Sequence, residues 1–279
     1  MKLLQKTQVA AAVALSAPAF AAIAPTSTGN GELFLVVFNP TAEVSLAVDL
    51  GIGINEFRPA YDFNTAIPPA GSSKTWTIDA DNGEVAKFLA KAGASSDWRW
   101  YVQAGDSVGS QSTFGGRGLV TTLTDGLTVG NIEATSNLSY NAIMAPINSF
   151  LSAANQNGDA NGDDFTTHGY SFGDQANGAY ALKAGFAGTN GAGFAAFTND
   201  NGLATKSLVY YVSRNASSNL ATVRTDIFDS AYGPSTFSLA ATAGGDYALT
   251  LAVPEPGTYV LLLSGLAMVG ALARRRRQA

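Results

Sequence analysis

The chain has no cysteine, and its 279 residues contain a single histidine, His168. Disulfides, thiolate metal sites, iron–sulfur ligation and cysteine nucleophiles are therefore excluded, as is any site that needs two imidazoles. Charge is scarce too: Asp, Glu, Lys and Arg make up 13% of the chain, about half the ~25% usual in soluble domains. Thirty glycines and many Ala, Ser, Thr and Asn residues fill that space, which predicts a neutral, polar surface. Hydrophobic residues at 46% suffice for a sizeable core, so a wholly disordered chain is ruled out.

The few cations lie mostly at the ends. Of sixteen basic residues, six are Lys2, Lys6 and Arg274 to Arg277; of twenty-one acidic residues only Glu255 lies outside the body. Ten basic and twenty acidic side chains remain between them, near −10. Nucleic-acid binding rests on neutralising phosphates, and such a body carries no footprint for it.

At the amino end two lysines precede an uncharged run from Val9 to Leu15, and small residues follow around Ala19-Phe20-Ala21. This is the layout of a secretory signal peptide, too short to span a bilayer, and it implies the Sec machinery and signal peptidase as partners. The small side chains at Ala19 and Ala21 place the cut after Ala21, with Ala22-Ile23-Ala24 as the alternative, so residues 1–21 form the leader. Pro18 and Pro25 argue against a buried helix there.

At the carboxyl end, Val253-Pro254-Glu255-Pro256 cannot continue a helix or a central strand, because each proline fixes φ, removes a donor and holds its predecessor extended. Residues 257–273 follow without a charge, seventeen residues in all, or about 25 Å of helix at ~1.5 Å per residue. That just reaches across a hydrocarbon core and predicts a single transmembrane helix. Arg274, Arg275, Arg276 and Arg277 would stop it on the cytoplasmic side, and Tyr259 stands where an interfacial aromatic belongs. The handle, the short apolar helix and the terminal arginines, in that order, resemble the PEP-CTERM sorting domain over residues 253–279. The resemblance implies recognition and processing by the membrane protease exosortase, with Pro254, Glu255 and Pro256 as the sorting motif. It also implies a Gram-negative bacterium that makes an exopolysaccharide, a transient anchor in the inner membrane with a cytoplasmic carboxyl end, and final placement at the cell surface or in the extracellular matrix.

Between these ends, residues 25–252 read as a secreted β-rich domain. Short apolar or alternating runs stand at Gly31 to Asn39, Glu43 to Gly51, Lys74 to Asp79, Trp98 to Ala104, Leu119 to Leu123, Ser207 to Ser213, Ala221 to Phe228, Thr236 to Thr242 and Asp246 to Val253. Gly, Asn, Asp and Pro punctuate them, and Asn39-Pro40-Thr41-Ala42 reads as a hairpin turn. The pattern predicts a mainly β fold: an antiparallel β-sandwich-like ectodomain with one or two short helices. Asp81 to Ala92 sets Val85, Phe88, Leu89 and Ala92 at helical spacing. Asn131 to Ala154 does the same with Ile143, Ile147, Phe150 and Leu151, and Pro146 must kink that helix or mark a start. The stretch from Asn157 to Gly202 is rich in glycine and reads as loops or short glycine-rich strands.

Three patterns bear on chemistry. Gly105-Asp106-Ser107-Val108-Gly109 matches G-x-S-x-G, but glycines and polar residues follow where a nucleophile elbow needs a helix, and His168 is the one imidazole a triad could recruit. A plain turn is preferred to an exported serine hydrolase. From Asn157 to Asp164 oxygen ligands alternate around Gly162 as a Ca²⁺ loop requires, with Asp159, Asn161, Asp163 and Asp164 as candidates. His168 stands where the bidentate Glu belongs, so a solvated loop is preferred, and Ca²⁺ is the one cofactor left open. Trp98, Trp100 and Tyr101 would form a sugar-stacking platform if exposed, although alternation favours core positions for the two tryptophans. The reading is thus a non-enzymatic exported protein associated with exopolysaccharide or biofilm. A carbohydrate-binding module and an exported hydrolase are the alternatives.

Overall fold

The computed structural model describes residues 22–57, 73–108, 118–123, 128–160, 169–181, 201–214, 218, 220–230 and 233–253. In chain order these form β1 (Glu32–Asn39), β2 (Val44–Gly53), α1 (Ile54–Phe57), β3 (Ser73–Ile78), α2 (Gly83–Lys91), β4 (Arg99–Gly105) and β5 (Gly118–Thr122). Three helices follow, α3 (Val129–Glu133), α4 (Asn137–Asn141) and α5 (Met144–Ala160), then β6 (Tyr170–Asp174), β7 (Asn201–Gly202) and β8 (Lys206–Arg214). The chain continues through β9 (Val223–Ile227), β10 (Asp229–Ser230), β11 (Gly233–Pro234), β12 (Thr236–Ala241) and β13 (Tyr247–Ala252).

β1 explains the architecture. Its apolar run alternates between two cores: Leu33, Leu35 and Val37 face one, while Phe34, Val36 and Phe38 face the other. A strand without a polar face must be covered on both sides. One cover is a helical layer, in which Ile132, Tyr140, Ile143, Ile147, Phe150 and Leu151 pack on Phe34, Val36, Tyr101 and Val212. The other cover is the sheet itself. Its strand order is β3-β13-β12-β8-β5-β4-β1-β2-β6, all antiparallel, with β7 and β9 pairing to β4 and β8. The leaf β12–β13–β3 curls over β1 and β2, so Phe237, Leu239, Leu249 and Leu251 meet Leu35, Val37 and Leu46 in one core.

The expected antiparallel β-rich fold is therefore present, with one curled sheet in place of two stacked ones. β8 is the reason. Lys206 to Leu208 pair with β12, whereas Tyr210 to Arg214 pair with β9, so one long strand belongs to both leaves. All nine expected strands form. Asn39 Oδ1 accepts from the Thr41 and Ala42 N–H groups at 2.8 and 3.0 Å and closes the β1–β2 hairpin.

The expected helix at Asp81 to Ala92 forms as α2, capped by Asn82, whose side chain accepts from the Glu84 N–H at 3.0 Å. The expected helical stretch from Asn131 divides into α3, α4 and α5. Pro146 stands in the first turn of α5, where a missing N–H costs nothing. β6 was not among the expected strands. It lies at the sheet edge, and two helices cover it: Glu84 of α2 accepts the Phe172 N–H at 2.7 Å, and Asn157 of α5 donates to the Phe172 carbonyl. Both outward backbone groups of Phe172 are thus satisfied, which blunts the edge.

Candidate functional site

β13 leads the body into the predicted sorting tail. Its alternation is strict: Leu249 and Leu251 are buried in the core, while Ala248, Thr250 and Ala252 lie half-buried on the outer face. The strand is paired on both sides, Ala252 opposite Thr236 of β12 and Ser73 of β3, and Thr250 Oγ1 lies 3.2 Å from Thr75 Oγ1. Val253 follows, buried at 7% exposure. The ladder holds the chain up to Ala252, packing holds Val253, and the next residue is a proline, which has no N–H to offer a further rung.

The other expected site residues fall as follows. Pro254, Glu255, Pro256 and Arg274 to Arg277 lie outside the described residues, as does the expected span 257–273. Among the described residues no helix is long and apolar enough to cross a membrane. The sugar platform does not stand: Trp98 is 4% exposed, and Trp100 and Tyr101 are fully buried. Trp98 packs edge-on against Phe88 at 4.9 Å and donates its indole N–H to the Ala92 carbonyl; Trp100 donates to the Gly202 carbonyl at 2.8 Å. Tyr101, on the opposite face of β4, is sealed under the helical layer, and burial raises its hydroxyl well above the ordinary tyrosine range.

The candidate Ca²⁺ loop begins inside α5. α5 runs through Asn157 to Ala160, so Asp159 sits on a helix, and Asn157 turns inward to bond β6. Asn161, Asp163, Asp164 and His168 lie outside the described residues. Among those described, no three His, Asp or Glu side chains stand together in a metal-holding group.

In the G-x-S-x-G segment, Gly105 is the last residue of β4 and Asp106 to Val108 leave the strand. Asp106 Oδ1 accepts from the Val108 N–H at 2.7 Å, Asp106 N–H donates to the Gly118 carbonyl, and Ser107 N–H donates to the Thr26 carbonyl at 2.9 Å.

Two acids are buried that sequence reasoning did not place in the interior. Asp49 of β2 is 2% exposed. Burial pushes its carboxyl up to about 7, nearby Glu32 adds to the rise, and the Gly51 N–H at 2.8 Å opposes it. Glu84 is 1% exposed and shared between Lys87 and the Phe172 N–H. The signal for Asp49 was available: it is the one charged residue in the mostly apolar Val44-Ser45-Leu46-Ala47-Val48-Asp49-Leu50 run.

The fold and its junction define a β-rich body whose last strand passes directly into a terminal signal. Comparison with protein families matches residues 252–277 to the PEP-CTERM protein-sorting motif. The chain carries a PEP-CTERM sorting domain at these residues, and that motif indicates a protein sorted by exosortase. No curated protein matches the chain, and no solved structure does.

Proposed function

We propose that this is an exported surface or extracellular-matrix protein without a catalytic role, placed by exosortase and associated with exopolysaccharide. The observation that carries the reading is the overlap of motif and body: the match begins at Ala252, which is a paired residue of β13. The leader opens the export route. The apolar span and its four arginines hold the tail across the inner membrane with the carboxyl end inside. Processing at the proline-framed handle then frees a body that is already folded up to Val253. With so few charges, its contact with a hydrated polysaccharide rests on hydrogen bonding and shape more than on ion pairing.

The test is the intact mass of the protein recovered from the producing cells, fraction by fraction. The expected product lacks the apolar span and the arginines and is found at the surface or in the matrix. A full-length tail retained in the inner membrane, or a cytosolic product, would overturn the proposal. A matrix-bound form should also resist a wash at roughly 1 M salt, where charge interactions reach only ~3 Å.

A further inference from the structure

The first described residues are fastened to the body more tightly than a mature amino end needs to be. Ala22 is exposed, but Ile23 is fully buried, in the core that also holds Phe34, Phe150 and Ala154. Asn155 of α5 grips it from both sides: Ile23 N–H donates to Asn155 Oδ1 and Asn155 Nδ2 donates to the Ile23 carbonyl, each at 3.1 Å. Ala24 N–H donates to Glu32 Oε2 at 2.7 Å, and Glu32 N–H returns to the Ala24 carbonyl at 3.1 Å. Two turns earlier on α5, Asn148 Oδ1 accepts from both Thr26 N–H and Thr26 Oγ1, at 2.9 and 3.0 Å.

The sheet is shaped to receive this segment. A Cβ at Gly105 would lie 2.6 Å from Thr26 Cγ2, and one at Gly31 would run into the Gly105 carbonyl. Ser107 then donates its N–H to Thr26. The glycine and serine of the G-x-S-x-G segment thus serve as the seat for residue 26.

We infer that the leader is cut between Ala21 and Ala22, and that the freed segment Ala22–Thr28 docks as a strap between α5 and the end of β4. This rests on the export reading. Cutting after Ala24 would discard Ile23, leave a hole against Phe34 and Phe150, and strip the Asn155 amide and the Glu32 N–H of their partners. Cutting after Ala21 keeps every one of these contacts and leaves the new ammonium on an exposed residue. An order of events follows. Proteases bind substrates as extended strands, and Ile23 is the second residue beyond the cut, so it is undocked while the bond is broken. Cleavage comes first and closure of the strap second.

The test uses the full chain produced in a secretion-competent Gram-negative host, with the exported protein recovered for amino-terminal sequencing and thermal melting. A first residue of Ala22 is expected. A start at Pro25 or beyond overturns this inference and leaves export standing, whereas a retained Met1 overturns both. For the strap, Ile23→Ala and Asn155→Ala should each be cut at the same bond yet melt lower, Ile23→Ala by roughly 5 °C or more. Should Ile23→Ala fail to accumulate, Ile23→Val removes one methylene and should melt lower by roughly 1–6 °C. Melting unchanged in the recovered variants overturns the strap.

Discussion

Asp49 offers the sharpest test of how the body is held together. Asp49 is buried in β2, and burial carries its carboxyl from 3.8 to about 7. A displacement of that size is worth ~4 kcal/mol at most, at ~1.4 kcal/mol for each tenfold change in proton affinity. The sign follows from linkage: below about pH 4 folded and unfolded chains both hold the proton, and the contribution is fully present. As pH rises toward about 7 the unfolded chain has released its proton while the fold keeps it, so the contribution is progressively lost; above about 7 it is gone. Asp49→Asn keeps an oxygen for the Gly51 N–H and cannot ionise. Melting of wild type and variant would be followed by circular dichroism from about pH 4 to about pH 8, and the quantity of interest is the difference between the two proteins at each pH. Taking the difference cancels titrations that do not couple to Asp49, including that of Asp174, whose carboxyl is held low, against the effect of burial, by the Asn177 N–H and by Lys91. The variant should gain on wild type as pH rises, by roughly 5–15 °C over the range for a body of this length. Parallel melting profiles would refute the argument, because they would mean that Asp49 ionises in the fold as readily as in the unfolded chain.

Three further outcomes follow from packing, from the surface and from the sheet edge. Phe150→Ala removes a fully buried ring that faces Phe34 at 6.1 Å, and should cost ~3–5 kcal/mol. Leu220→Ala, at a side chain 88% exposed, should leave the melting temperature within about 1 °C. Glu84→Ala strips the Phe172 N–H of its partner and reopens the β6 edge, at ~1–3 kcal/mol. Its signature should be faster hydrogen exchange at the Phe172 amide and a greater tendency to aggregate, and exchange at the wild-type rate would count against edge protection by Glu84.

Local pattern was enough for most of the strands, because alternation and turn residues act over a few positions. β12 and β13 are plain examples: Phe237 and Leu239, Leu249 and Leu251 recur at the period of a strand with one buried face. The same alternation put Trp98 and Trp100 in the core. It could not do so for Tyr101, which points the other way and is buried only because α4 and α5 lie over it, an effect of residues forty positions distant. β6 was hidden for a similar reason. Tyr170-Ser171-Phe172-Gly173 is a weak strand by composition, and it exists because β2 offers an edge and Glu84 and Asn157 close the far side. Asn157 shows the same effect of distant contacts at the start of the candidate cation loop. An Asn-Gly-Asp run is a loop by local preference, yet the inward bond to β6 carries α5 through it. The two-leaf corner was illegible because nothing in Lys206 to Arg214 announces that its halves pair with different strands.

The motif and the body share residues, and this constrains how the signal can work. Ala252 is the first residue matched by the motif and the last rung of β13; Val253 is packed, and Pro254 comes next. No flexible spacer separates the ladder from the handle, so whatever grips Pro254 to Pro256 must approach to within two residues of a folded sheet. Because β13 is bonded on both sides, drawing the chain back into a protease cleft would cost the rungs to β12 and β3 and unbury Leu251. A cut at the handle or beyond it costs none of these. On the proposed route the sheet sets the inner limit of any cut: product ends on the carboxyl side of Val253 would keep the leaf intact, and ends before it would open the core that Phe237, Leu249 and Leu251 share with β1 and β2.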